Sequence, residues 1–260
     1  MAITYQNTLP DPNYQVGNDG STTGSNGPGF ASVSLTSTSP IMKTRTNSGR
    51  MVARAIKSHL WGVNISYNPM TRAEFEPVYN FLINRRGSLK PFFVSLPQYR
   101  TAQDGSFSGA VKIYAPSAAG DVLVANTQNT VRAGATAIPV DGVTAGNPIP
   151  GDLFTITDVN DSNHKKLYRV TQVETPSSYS TSATGNDPDA PTGQERIIHC
   201  IPGLQKKTFD NSDLVFTNPL MRVIATDVQE YALGNDGLYT FSLKLEEALP
   251  KWQFVILVLL

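Results

Sequence analysis

Residues 71–87, TRAEFEPVYNFLINRRG, form the only stretch of this chain with a convincing helical pattern; the other patterned segments read as strands. One short helix among strands cannot build a bundle, so it needs a sheet to pack on. Thr71 and Glu74 make a capping box that satisfies free N–H groups at the helix start. Phe75, Val78, Tyr79 and Leu82 fall at i, i+3, i+4 and i+7, one apolar stripe expected to bury against the sheet. Arg85 and Arg86 lie in the last turn, where cations suit the dipole, and Gly87 is a natural stop. Pro77 conflicts with this reading, because its ring should clash with the carbonyl of Ala73. The pattern therefore predicts a kink there, or a regular helix that begins near Glu76.

Strand signals flank the helix. From Met51 to Tyr67 the apolar residues alternate, with Val52, Ile56 and Leu60 on one parity and Trp61, Val63, Ile65 and Tyr67 on the other. That switch predicts one long strand with a bulge or strong bend near Leu60–Trp61. PFFVSLPQY, residues 91–99, reads as a strand closed by Pro97. Near the far end, VIATDVQEYAL and LYTFSLKLEEAL flank the turn GNDG, a strong hairpin signal, and Tyr239, Phe241, Leu243 and Leu245 share one face. Between 100 and 220 short strands recur at close turn spacing, the rhythm of a small barrel or sandwich. The polar, Pro- and Gly-rich segment 177–194 reads as a long exposed loop.

These patterns predict a mainly β chain: a sheet with one flanking helix from residues 33–104 and 216–250, interrupted by a small inserted β domain, barrel or sandwich, at 105–215. Residues 1–32, rich in Gly, Asn, Ser, Thr and Pro, are expected to form a flexible arm. Residues 251–260 are an apolar tail.

Composition removes several function classes. With 21 basic and 21 acidic residues the formal net charge is zero, which argues against a broad nucleic-acid or anionic-membrane footprint. The single cysteine excludes an intramolecular disulfide and a thiolate metal cluster. The first residues, MAITYQNTLPDP, lack the basic and apolar regions of a signal peptide. The run Phe254–Leu260 is far shorter than the ~20 residues of a membrane span.

No constellation supports an enzyme, and no cofactor or metal is expected. His199 and Cys200 are adjacent, but strand neighbours point to opposite faces, so the thiol and imidazole do not align. Asp158, Asn160, Asp161 and Asn163 invite a calcium reading, yet the loop has Asn163 where an EF-hand needs Gly and Arg169 where it needs Glu. A hairpin tip is the better reading. The pairs Arg85–Arg86, Lys165–Lys166 and Lys206–Lys207 read as solvated faces or subunit contacts.

One wider pattern emerges. Thr71, Glu74, Phe75, Pro77, Phe81 and Leu82, then Gly87, Phe92, Phe93, Pro97 and Tyr99, resemble the helix and the aromatic strand of distal tail and tail-tip proteins of tailed bacteriophages. The closing strand LYTFSLKLEEAL resembles the end of such proteins, and GDLFTITDV, KLYRVTQV and IPGLQKKTF resemble their accessory barrel. The resemblance implies a tail-tube-like β-sandwich assembled into a ring, a hexamer by family likeness, at the distal end of a tail. It further implies tail-tube and tail-hub or tip proteins as partners, a place in the virion tail and assembly in the host cytoplasm. On this reading Trp252 and the run Phe254, Val255, Ile256, Leu257, Val258, Leu259 and Leu260 are expected at a subunit interface, since an apolar run of that kind is an aggregation hazard if left free. The alternative is a carbohydrate-binding module on the tail tip, with Tyr179 as the stacking candidate.

Overall fold

The structure, a computed structural model, describes residues 4–17, 19–55, 58–115, 124–125, 130–162, 164–175, 193–226 and 231–248. The chain opens with a small hairpin, β1 (Gln15–Val16) and β2 (Ser25–Asn26), then runs through β3 (Phe30–Thr38), β4 (Ile41–Arg45), β5 (Met51–Ala55) and β6 (Leu60–Tyr67). Helix α1 (Arg72–Arg85) and β7 (Phe92–Ser95) follow. The middle section holds β8 (Lys112–Ile113), β9 (Val124–Ala125), β10 (Thr130–Val131), β11 (Ala137–Asp141), β12 (Leu153–Thr157), β13 (Leu167–Glu174), β14 (Arg196–Ile201), β15 (Thr208–Phe209) and β16 (Asp213–Val215). The last strands are β17 (Leu220–Ala225), β18 (Tyr231–Leu233) and β19 (Tyr239–Glu247). The protein is mainly β, with a single α-helix among the described residues.

Strands β3, β6, β19, β17 and β7 form one antiparallel sheet in that order, and β18 pairs with the first half of β19. Period-two alternation gives this sheet two unlike faces. Trp61, Val63, Ile65 and Tyr67 of β6 lie beside Phe241, Leu243 and Leu245 of β19 on the apolar face, all buried. Asn64, Ser242 and Lys244 stand on the other face, in solvent. Helix α1 covers the apolar face with Phe75, Val78, Phe81 and Leu82.

The helix is continuous through Pro77 from Arg72 to Arg85, so the late start near Glu76 does not occur. It stops where the sequence expects: Arg86, the C-cap, takes a left-handed conformation (φ 55°) and returns its N–H to the Ile83 carbonyl, and Gly87 follows at C′, also left-handed (φ 61°). At the other end the Glu74 carboxylate accepts from both the N–H and the hydroxyl of Thr71, at 2.9 and 2.8 Å.

A second core lies in the middle section. Strands β11, β14, β13, β12, β16 and β8 close into a barrel. Phe154, Ile156, Tyr168, Val170, Ile198 and Cys200 fill its interior with essentially no exposure.

Two expectations need correction. Residues 51–67 are not one continuous strand: β5 ends at Ala55, β6 starts at Leu60, and among the described residues β5 pairs only with β4. Val52 is therefore exposed rather than inward-facing. The described part of the N-terminal arm also does not stand free. Leu9 is fully buried, the amide of Phe93 donates to the Asn7 carbonyl and that of Leu9 to the Phe93 carbonyl. Asp11 pairs with Arg100 at 2.8 Å. The arm thus covers the outer edge of β7, whose backbone groups would otherwise lack partners. Composition hid this, because the contacts are made mainly by main chain and two or three side chains.

Candidate functional site: a buried ionic junction and the unpaired surfaces

Alternation along β19 runs Phe241, Leu243, Leu245 and then Glu247, which places a carboxylate where the pattern asks for an apolar residue. The reason lies across the sheet–barrel boundary. Lys166, just before barrel strand β13, reaches the Glu247 carboxylate with its ammonium group and also donates to the His59 carbonyl at 3.0 Å. The amides of Trp61 and Leu167 donate to the two Glu247 oxygens, each at 3.3 Å. The Trp61 indole N–H returns across the boundary to the Leu167 carbonyl at 2.9 Å. Leu153 and Leu167 of the barrel complete the sheet's apolar cluster around this corner.

Both charges are almost wholly withdrawn from water, at 3 % and 1 % side-chain exposure. Burial pushes Lys166 below its ordinary pKa and Glu247 above its own, and in each case the partner's charge opposes the shift. His59 packs edge-on against Trp61 with ring centroids 4.7 Å apart, and its Nε2 meets the Ser37 hydroxyl at 2.9 Å. Burial, and then the Lys166 charge, lower its pKa to about 4, so the imidazole is neutral at pH 7. The Glu247 oxygens face three donors and the Lys166 ammonium two acceptors, so the cluster ties the two cores together. Sequence reading took Lys165 and Lys166 together as a surface pair. That is corrected for Lys166: its neighbour is half-buried, whereas Lys166 faces inward. The one signal available was Glu247, out of place in its own alternation.

The helix residues lie as follows. Phe75, Val78 and Leu82 are buried and Tyr79 is half-buried. Phe75 stacks on Tyr239 at 4.5 Å and on Tyr79 at 5.0 Å, and also meets Tyr231 and Phe241. Phe81, outside the stripe singled out in the sequence, is buried against Phe92. Arg85 crosses the Phe81 ring and donates to the Gln6 carbonyl, fastening the arm.

His199 and Cys200 do point apart. The imidazole meets Glu174 at 2.5 Å, while the thiol lies in the barrel core, where burial pushes its pKa up to about 12. Asp158 accepts from the amides of Asn160, Asp161 and Phe209, which commits its oxygens to the backbone. Asn163, Tyr179, Trp252 and Phe254–Leu260 lie outside the described residues. Among the described residues no helix is long and apolar enough to cross a membrane.

The remaining feature is unpaired surface. Strands β4 and β5 form a two-stranded ribbon that among the described residues pairs only with itself, and residues 41–54 are exposed throughout. Ile41, Met42, Met51 and Val52 are 46–63 % exposed. Strand β3 pairs only with β6, and β18 only with β19, so among the described residues each leaves an open edge. Open edges and exposed apolar side chains are what an assembling subunit presents and a solitary protein avoids.

Comparison with known proteins points the same way. The family described as "Distal tail protein pb9, A domain, N-terminal" matches residues 9–99. The distal tail protein pb9 of Escherichia phage T5 is 26 % identical over 226 residues, which cover 86 % of this chain and 94 % of that protein. Together these findings support a phage distal tail family and a structural role in the tail.

Proposed function

We propose that this chain is a ring-forming subunit at the distal end of a phage tail, where it joins the tail tube to the tip or baseplate hub. The observation that carries the reading is the likeness to a distal tail protein along nearly the whole length of both chains. The open edges of β3 and β18 and the exposed ribbon support it, because they need partners that one chain does not supply. The family resemblance favours a hexamer. The chain acts by association and not by catalysis, it reaches the virion tail after assembly in the host cytoplasm, and it needs no cofactor.

Two finer points belong to the same reading. Residues 33–104 and 216–250 form the ring domain and 105–215 an inserted barrel; the separate apolar cores of sheet and barrel support that division. Trp252 and the run Phe254–Leu260 serve as an intersubunit clasp, on the strength of their composition.

Genetics in the phage tests the function. Loss of this chain should yield particles with tubes but without complete tail tips, restored by expression in trans. Intact, infectious tails in its absence would sink the reading.

A further inference from the structure

A cleft borders the ionic junction. The chain leaves β3 through residues 39–41 and enters β6 through residues 58–59, and together with the barrel loops at 133–136 and 201–205 these segments enclose about 580 Å³. Ile41 and Ile201, 50 % and 49 % exposed, and the buried Leu204 make its walls largely apolar. The barrel side is fixed in advance. The N–H of Gly134 donates to the Leu204 carbonyl at 2.6 Å, and that of Leu204 to the Ala135 carbonyl at 2.8 Å. A Cβ on Gly203 would sit 2.7 Å from the Gly134 carbonyl oxygen, so the two loops approach this closely only with glycine there.

Two buried polar atoms of the residues lining this cleft, His59 Nδ1 and Gln205 Oε1, have no hydrogen-bond partner among the described residues. His59 is only 9 % exposed, and its other ring nitrogen is taken by Ser37. A buried polar atom left unpaired is costly and asks for a partner. Lys166 also lines the cleft, but its charge is matched by Glu247. The cleft therefore asks for a neutral group that donates to the Gln205 oxygen and meets the imidazole, carried on an apolar body. A tyrosine has that form, because its hydroxyl both donates and accepts at the tip of an apolar ring.

The chain displays such a tyrosine at the far edge of its own sheet. Tyr5 is 65 % exposed, and among the described residues its ring stacks on no other and its hydroxyl has no hydrogen bond. Tyr231 is exposed too, but its ring lies against Phe75, Tyr79 and Tyr239. The arm that carries Tyr5 is bonded to β7 through Asn7 and Leu9, whereas the cleft lies where β3 ends and β6 begins. Strands β3 and β7 are the outermost of the sheet order β3-β6-β19-β17-β7. Four spacings of about 4.8 Å separate them by roughly 19 Å. Tyr5 is thus out of reach of its own cleft while the arm stays on β7.

We propose that the cleft of one copy takes the Tyr5 side chain of a second copy. The ring is buried against Ile41, Ile201 and Leu204, and the hydroxyl meets Gln205 Oε1 and His59 Nδ1. The contact joins opposite edges of the same sheet, so it is head-to-tail, the kind that closes into a ring when the rotation between copies permits. The inference rests on the ring-subunit reading and names the surfaces that make the contact.

The test uses the full chain. Tyr5→Ala should raise the concentration for half-assembly about tenfold or more, as loss of a buried aromatic anchor does. Tyr5→Phe removes the hydroxyl alone and should raise it about threefold. In a Gln205→Leu background the Tyr5 and Tyr5→Phe chains should assemble nearly alike, since the hydroxyl has lost its acceptor. In parallel, Tyr5→Cys and Ile201→Cys chains, mixed and oxidised, should give a disulfide-linked pair that neither gives alone. Rings that form equally well with Tyr5→Ala, and no mixed disulfide, overturn this contact and leave the ring reading standing. A wild-type chain that stays monomeric overturns both. Assembly weakened by Ile201→Asp but untouched by Tyr5→Ala would give the cleft to another occupant and overturn this one.

Discussion

Lys166 and Lys43 carry the same charge and stand about 120 residues apart in sequence, yet their surroundings are opposites. Lys166 is 3 % exposed and held by the Glu247 carboxylate and the His59 carbonyl. Lys43 stands on an exposed ribbon and makes no ion pair among the described residues. A charge taken out of water must be matched by a partner and by hydrogen bonds, so its removal disturbs the fold. A charge left in water contributes little to its own chain and is free to act on another. The junction thus belongs to the molecule's internal rigidity and the ribbon to its outward contacts.

That contrast breaks most sharply at the junction. Lys166→Met leaves Glu247 buried without its counter-charge and should cost about 3–5 kcal/mol, read by denaturant unfolding. The double change Lys166→Met/Glu247→Leu should recover most of the loss, because two apolar groups need no partner. If the single variant loses under ~1 kcal/mol, the pair is not a buried latch. A comparable effect is expected at the helix, where Leu82 is 2 % exposed: Leu82→Ala should cost about 2–5 kcal/mol. A cost below half of one kilocalorie would show that the stripe does not pack on the sheet.

Smaller effects sharpen the picture. Trp61→Phe keeps most of the ring and removes the indole donor to the Leu167 carbonyl, for an expected ~1–2 kcal/mol. His59 gives a pH signature. Its folded pKa of about 4 lies below the ordinary 6.5, so the stability it contributes is complete above pH 6.5 and is lost as pH falls toward 4. Between those values the wild type should lose more stability than a His59→Asn variant; parallel pH profiles would contradict the assignment. At the bottom of the scale, Lys43→Ala should change the stability of the isolated subunit by no more than ~0.5 kcal/mol.

Local signals were legible in the sequence and long-range ones were not. GNDG marked the β18–β19 hairpin, and Gly237 takes the left-handed φ of 76° that such a turn requires. The alternation of Phe241, Leu243 and Leu245 and the residues around Thr71 and Glu74 marked strand and helix, since each pattern is complete within a few positions. Lys166 could not be told from Lys165, because its partner Glu247 lies 81 residues away. Val52 followed a buried strand's alternation but lies exposed on a ribbon that no element covers among the described residues. The arm looked free because many of its anchors are main-chain bonds to β7, which leave no mark in residue type, and its side-chain anchors Leu9 and Asp11 meet partners far along the sequence.

The central claim is that this subunit is incomplete alone and works in an assembly. Native mass spectrometry of the purified full chain at low salt measures that directly. A discrete species at an integral multiple of the 28.2 kDa subunit is expected, with six copies favoured. A mass that stays at one subunit across micromolar concentrations would contradict it.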